Sequence, residues 1–137
     1  SALFFLFLDM MLHPILPKKK KTLVIGASTN PERYANMAIN SLTKHNHPVV
    51  AIGRKEGEVA GVEFEVEQVP FKDVDTVTLY LNPKNQEAYY DYILSLKPKR
   101  VLFNPGTENP DLQAKLDEAG IDYEEACTLV LLNTNQY

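Results

Sequence analysis

A short run of small and polar residues followed by an arginine is the segment of this chain best suited to hold a phosphate. Gly26, Ala27 and Ser28 leave room for a diphosphate to approach the backbone, and Ser28 and Asn30 offer side-chain hydrogen bonds. Arg33 supplies a positive charge that pairs with a phosphate. Where such a segment joins a strand to a helix, the free N–H groups of the helix start add to the attraction. A tight strand-to-helix turn without a ligand explains the same residues, but the flanking pattern favours binding.

The segment differs from the fingerprint of NAD-binding domains. Gly-x-Gly-x-x-Gly would place glycines where Ser28 and Pro31 stand, and an acidic residue would end the second strand. That strand instead ends in Gly53, Arg54 and Lys55. A basic pair there suits a ribose that carries an additional phosphate. NADP and coenzyme A both have one, so the residues leave these two ligands open.

Two further loops combine asparagine with proline after a predicted strand. They are Asn82-Pro83 and Asn104-Pro105-Gly106. In open parallel sheets a ligand lies over the carboxyl ends of the strands, at the point where the strand order reverses. All four loops are therefore expected at one site, although each asparagine-proline loop also fits a simple turn.

Alternating apolar runs and helical patterns predict the elements that position these loops. Strands are predicted for residues 22–25, 49–52, 62–66, 74–81, 101–103 and 121–126, the third of them half-exposed at a sheet edge. Helices are predicted for residues 31–45, 84–96 and 110–119. Strands that alternate with helices of this length form βαβ crossovers. The predicted fold class is therefore α/β, with a doubly wound, mainly parallel sheet in a single domain.

Residues 1–21 differ in composition from the rest of the chain. Residues 2–8 are apolar, Asp9 interrupts them, and four lysines follow at 18–21. The interruption argues against a membrane span, which needs about 20 mostly apolar residues. We therefore predict an N-terminal arm at residues 1–21 and a ligand-binding domain at residues 22–137. The arm is expected to bury its apolar side chains against the domain or a second subunit, which makes a homodimer the expected assembly.

Composition limits the remaining classes of function. The net charge of −4 argues against nucleic-acid binding, which needs a concentrated basic face. The single cysteine, Cys127, excludes an internal disulfide and a multi-cysteine metal site, and a cytoplasmic location is predicted. His45 and His47 lie beside a helix end, and Cys127 has acidic neighbours where a reactive thiol needs basic ones. No catalytic residue and no metal site are predicted.

Together, these segments resemble the coenzyme A-binding domain family. The resemblance rests on VIGASTNPERYANMAINSL, the basic turn after VVAIG, the proline after TVTLYLN, FNPGTENPDLQAKLDEAGI and the late cysteine. It covers residues 22 to about 132. Members are small stand-alone proteins similar to the N-terminal domain of the succinyl-CoA synthetase alpha subunit. The resemblance implies a Rossmann-like fold with CoA at the strand ends, and it implies no synthetase reaction.

The resemblance also implies a role for each loop. The phosphates would be held by Gly26, Ala27, Ser28 and Arg33. The nucleotide end would meet Arg54 and Lys55. The ligand would be flanked by Asn82, Pro83, Asn104, Pro105 and Gly106. The chain departs from the family pattern at Gly53-Arg54, where an Asn-Pro pair is common, and at Tyr34-Ala35.

These inferences predict a noncatalytic module that binds coenzyme A or an acyl-CoA. One alternative is an NADP-linked oxidoreductase-like domain, which would need a proton donor near the nicotinamide. Another is an oligomeric interaction protein with a vestigial nucleotide pocket, assembled through the apolar arm. Ligand binding separates the three, because only the first prefers CoA.

Overall fold

The computed structural model describes residues 18–137, which form one sheet with helices on both faces. The strands are β1 (Thr22–Ala27), β2 (Val49–Gly53), β3 (Glu58–Val59), β4 (Val62–Glu65), β5 (Thr76–Leu79), β6 (Arg100–Phe103) and β7 (Asp122–Glu125). The helices are α1 (Tyr34–Lys44), α2 (Pro83–Gln86), α3 (Tyr90–Leu96), α4 (Pro110–Ala119) and α5 (Thr128–Asn133). A 3₁₀ turn at Glu87–Tyr89 joins α2 to α3.

The sheet has the strand order β3-β4-β2-β1-β5-β6-β7. Every neighbouring pair is parallel except β3 and β4, which form a short antiparallel hairpin. Without β3, the six parallel strands stand in the doubly wound order 3-2-1-4-5-6. The strand order reverses between β1 and β5. The predicted Rossmann-like α/β fold is therefore confirmed.

Two apolar clusters hold the helices against the sheet. One contains Val24 of β1 with Ile39 and Leu42 of α1 and Leu132 of α5. The other lies on the opposite face, where Leu23 and Ile25 of β1 pack with residues of α3 and α4. Because both faces are covered, β1 is buried over most of its length, as its continuous apolar sequence requires.

The first helix begins later than its sequence predicts. A helix was expected from Pro31, but α1 starts at Tyr34, with Arg33 at its N-cap. The side-chain oxygen of Asn30 accepts a hydrogen bond from the Glu32 N–H at 3.0 Å. The backbone carbonyl of Asn30 accepts one from the Arg33 N–H. This local turn competes with helical pairing, so Arg33 precedes the first helical turn and does not lie within it.

Two other boundaries also differ from prediction. The expected strand 74–81 is shortened to β5, and the expected helix 84–96 is divided by the 3₁₀ turn. Beyond β5, the carbonyl of Leu81 accepts a bond from the Gln86 side chain. The half-exposed strand predicted at 62–66 is β4, and the hairpin makes β3 the outermost strand.

The lysine run at the start of the described residues is attached to the amino edge of the sheet. Lys19 Nζ donates to the carbonyl of His45 at 3.0 Å, and the Lys20 N–H donates to Nδ1 of His47 at 3.0 Å. Residues 1–17, and the packing predicted for the arm, lie outside the described residues. Within residues 18–137, no helix combines the length and the apolar character that crossing a membrane requires.

Candidate functional site

The carboxyl ends of four adjacent strands bring the four predicted loops to one edge of the sheet. Residue pairing between β1 and β2 extends to Ala27 and Gly53. Pairing of β1 with β5, and of β5 with β6, ends at Leu79 and Phe103. The loops therefore lie in the order β2, β1, β5, β6 across the edge, with the reversal of strand order at their centre.

Gly26 allows the ends of β1 and β5 to lie against each other. Its φ of +98° is unfavourable for any residue with a side chain. A Cβ atom at this position would lie 2.9 Å from the carbonyl oxygen of Tyr80 and 3.2 Å from the Leu81 side chain. Only glycine fits this contact, so the predicted importance of Gly26 has a structural basis independent of any ligand.

The first loop is also in close contact with the loop after β2. A Cβ atom on Gly53 would lie 2.9 Å from the carbonyl oxygen of Ala27. A Cβ atom on Gly57 would lie 2.5 Å from the methyl group of Thr29. These glycines let the two loops that carry the predicted cationic residues approach each other.

A buried amide on α1 fixes the conformation of the first loop. The Nδ2 of Asn36 donates to the carbonyl of Ser28 at 3.0 Å, and Asn40 Nδ2 donates to Asn36 Oδ1 at 3.0 Å. Within the loop, the Asn30 N–H donates to Ser28 Oγ at 3.1 Å. Asn36 was missed from the sequence. Its signal was a polar residue beside Ala35 on the otherwise apolar inward face of the helix.

Three cationic side chains of the first two loops are exposed. Arg33 precedes α1, and Arg54 and Lys55 directly follow β2. Among residues 18–137, none of the three side chains forms an ion pair or a hydrogen bond. An ion pair is found elsewhere, between Lys99 and Asp75. This side of the site therefore presents three cations that are not paired within residues 18–137, although the exposed Glu32 and Glu56 stand next to them in the sequence.

The loop after β6 is held from below by the side chain of Asn104, which is 2% exposed. Its Nδ2 donates to Thr78 Oγ1 at 2.7 Å and to the carbonyl of Leu79 at 3.0 Å. Its Oδ1 accepts from the Thr128 N–H at 2.9 Å. The amide group is thus committed to the fold. The exposed residues of the predicted set in this loop are Pro105 and Gly106.

Asn82 and Pro83 start the helix that follows β5. Asn82 Oδ1 accepts from the Asn85 N–H at 2.9 Å, and Pro83 occupies the first helical position. Both are exposed at the edge that carries the other loops. The structure therefore places Asn82 and Pro83 with the remaining predicted residues, although the Asn82 oxygen already accepts this bond as a helix cap.

Within residues 18–137, no hydrogen bond or ion pair joins Tyr80, Lys84 and Cys127 to one another. Tyr80 and Lys84 have the Tyr-x-x-x-Lys spacing of many oxidoreductases, which the sequence analysis did not identify. The spacing here runs from the residue after β5 into α2, so the two residues do not share one helix face. Burial raises the pKa of Tyr80 to about 12, which keeps the phenol neutral. The half-buried Cys127 thiol lies at the N-cap of α5.

The surface has two grooves, of which one touches the first loop. One, of about 480 Å³, runs between α1 and α5 and touches the first loop at Pro31. The other, of about 340 Å³, lies next to β2 and β4 and includes Phe71. Neither groove is lined by Arg54 or Asn82. The candidate site is therefore defined by its loops and their charges, and not by these concavities.

Solved structures share this architecture. An uncharacterised protein is 50% identical, with a TM-score of 0.86 over 88% of this chain and 100% of its own. A hypothetical protein from Pyrococcus horikoshii OT3 is 29% identical, with a TM-score of 0.73 over 91% of this chain and 90% of its own. A dinucleotide-forming acetyl-coenzyme A synthetase 1 from Ca. Korarchaeum cryptofilum, solved with phosphate and ADP, has a TM-score of 0.62 at 19% identity, over 77% of this chain and 25% of its own.

No curated protein matches the chain. The family model of the CoA binding domain matches residues 20–133, which include β1 and the four loops. The match agrees with the resemblance read from the sequence. This chain belongs to the CoA-binding domain family.

Proposed function

We propose that the protein is a noncatalytic module that binds coenzyme A or an acyl-CoA with the loops after β1, β2, β5 and β6. One observation carries this proposal: in a CoA-binding family domain, three exposed cationic side chains without partners among the described residues follow β1 and β2, beside the switch point where the strand order reverses. Phosphates are the ligand groups that such a cluster attracts. Coenzyme A carries a diphosphate and a ribose phosphate, which together need several cations.

The order of the loops suggests the direction of the ligand. Arg54 and Lys55 would meet the ribose phosphate, because they follow β2, which is the outermost of the four strands on the cationic side. Gly26, Ala27, Ser28, Asn30 and Arg33 would hold the diphosphate at the switch point. The pantetheine arm would then continue toward the neutral loops at Asn82-Pro83 and Pro105-Gly106. This direction follows the strand order β2-β1-β5-β6.

Two features support a noncatalytic role. His47 precedes β2 and contacts Lys20, which places it at the amino edge of the sheet, opposite the loops. Tyr80 holds its proton far above neutral pH because it is buried. A cytoplasmic location and a homodimer formed through the arm stay predictions of this proposal.

Calorimetric titration with CoA, dephospho-CoA, NADP and NAD tests the proposal. CoA is expected to bind most tightly, and a concentration of 100 times its Kd is expected to add about 2.7 kcal/mol to the free energy of unfolding. NAD is expected to add nothing measurable, because an acidic residue for its ribose is missing after β2. Binding of NADP as tight as that of CoA, or tighter, would overturn the proposal in favour of the oxidoreductase-like alternative.

A further inference from the structure

We propose that Gln86 is a positioning residue that sets the separation between the loops after β5 and β6 and so determines affinity for the pantetheine arm. The inference rests on the proposed function. It extends that function to a side chain with no expected contact to the ligand. Gln86 is fully buried, at 0% exposure, at the end of α2.

The amide nitrogen of Gln86 joins the two loops directly. Nε2 donates to the carbonyl of Leu81 and to the carbonyl of Thr107, each at 2.8 Å. Leu81 immediately precedes Asn82, and Thr107 immediately follows Gly106. One side chain therefore bonds to the backbone of both loops toward which the proposed function directs the pantetheine arm.

The amide oxygen of Gln86 is fixed as well. Asn109 Nδ2 donates to Gln86 Oε1 at 2.9 Å and to the hydroxyl of Tyr90 at 2.8 Å. Asn109 Oδ1 caps α4 by accepting from the N–H groups of Asp111 and Leu112. Because both acceptors of Nε2 are carbonyls, the Gln86 amide has one orientation that satisfies all three bonds. The network leaves the loops after β5 and β6 little freedom to separate.

Sheet pairing alone does not hold these loops. The parallel ladder between β5 and β6 ends at Leu79 and Phe103, before either loop begins. Asn104 anchors the start of the second loop to the carbonyl of Leu79, also at the base. Farther out, Gln86 supplies the bond that links the loops at Leu81 and Thr107. Loss of that bond is expected to change the separation of the two loops more than it changes the sheet.

The experiment compares Gln86→Met with Gln113→Met. Methionine has nearly the volume of glutamine but donates no hydrogen bond. Gln113 on α4 is a matched control, because its Nε2 is buried and has no partner among the described residues. Calorimetry measures the binding of CoA and of adenosine 3′,5′-bisphosphate, which lacks the pantetheine arm. Hydrogen exchange of the free proteins reports on residues 80–82 and 106–108.

Gln86→Met is expected to weaken CoA by roughly tenfold or more and to speed exchange in both loops. Binding of the bisphosphate is expected to stay within about twofold of the wild type, because it relies on the cationic loops. Gln113→Met is expected to change neither the affinity for CoA nor the hydrogen exchange of the two loops. If Gln86→Met does not fold, Gln86→Ala provides the same two measurements, since it removes the Nε2 donor without placing a charge against the two carbonyls.

Two results would overturn the inference while leaving the proposed function intact. In the first, wild-type protein binds CoA and the variant binds it equally well. In the second, CoA and the bisphosphate weaken by the same factor, which would indicate a general loss of structure. A wild-type protein that binds no CoA would instead overturn the proposed function, and this inference with it.

Discussion

The loops after β1 and β2 and those after β5 and β6 share one edge of the sheet but are stabilised in opposite ways. The first pair carries Arg33, Arg54 and Lys55, which are exposed and have no partner among the described residues. The second pair lies over Gln86 and Asn104, which are neutral, buried and fully hydrogen-bonded. Under the proposed function, the cations of the first pair would be left for the ligand phosphates, whereas the second pair is held by the protein's own hydrogen bonds.

Solvation explains why the side chains of the first pair can stay unpaired, whereas the buried amides of the second pair need hydrogen-bond partners. An exposed guanidinium keeps its water shell, so an unpaired Arg54 costs the free protein little. A buried amide without partners loses about 1–3 kcal/mol of stability. Gln86 and Asn104 must therefore be satisfied before any ligand arrives. The two sides should then respond differently to mutation, one in affinity and the other in stability.

The largest effect is expected for Asn104→Leu on the neutral side. The substitution removes the bond that Asn104 accepts from the Thr128 N–H and the bond that it donates to the carbonyl of Leu79, and leaving a buried group unpaired costs about 1–3 kcal/mol. Urea denaturation is expected to show a decrease of about 3 kcal/mol in the free energy of unfolding. The control, Asn85→Leu, changes an exposed residue and is expected to stay within about 0.5 kcal/mol of the wild type. A decrease below 1 kcal/mol for Asn104→Leu would contradict the assignment of this amide to the fold.

Gly26→Ala tests the contact between the two sides. The new Cβ would meet the Tyr80 carbonyl at 2.9 Å in a backbone conformation that alanine rarely adopts. A loss of about 2 kcal/mol in unfolding free energy is expected, accompanied by weaker CoA binding. Gly61→Ala is a matched control, since Gly61 also has a positive φ but has open space around it. Equal losses for the two variants would mean that backbone strain, and not the close approach, makes Gly26 necessary.

Arg54→Ala and Arg33→Ala test the charged side. Removal of a charge-assisted bond costs about 1.5–3 kcal/mol, so either substitution is expected to weaken CoA by roughly tenfold or more without changing stability. Only Arg54→Ala is expected to abolish the preference for CoA over dephospho-CoA, because only Arg54 is expected near the ribose phosphate. Calorimetry with both ligands measures this preference. Lys72→Ala, which removes an exposed cation at the other edge, serves as the control. Identical ligand preferences in the two arginine variants would refute the proposed direction of the ligand.

The sequence located the exposed cations of the first pair of loops but missed the hydrogen-bond network of the second pair. Arg54 and Lys55 are recognisable because they directly follow an apolar strand, and Gly26 because it stands at the end of one. Gln86 and Asn109 look like ordinary polar residues of a helix and its cap. Their roles depend on partners 21 and 23 residues apart along the chain, which no periodicity reveals.

The beginning of α1 shows a second limit of sequence interpretation. Pro31 fits the first turn of a helix, and that preference predicted a start three residues too early. The decisive factor was the Asn30 side chain, which forms a local turn in competition with the helix. Arg33 consequently lies on the loop, a position that still faces the proposed diphosphate site.

The smallest effect is expected at the amino edge, where His47 makes stability depend on pH. Burial, followed by the positive charge of Lys19, lowers the pKa of His47, and its Nδ1 accepts the Lys20 N–H only while neutral. The unfolded chain therefore takes up its proton first, near pH 6.5, so this stabilisation is complete above about pH 6.5 and is lost as the pH falls toward the lower folded pKa. Urea denaturation at pH 7.5 and 5.5 should show a smaller loss of stability in His47→Gln than in the wild type. His45→Gln, at the neighbouring helix end, is expected to retain the wild-type loss. An unchanged pH dependence in His47→Gln would show that protonation of this ring does not weaken the amino edge.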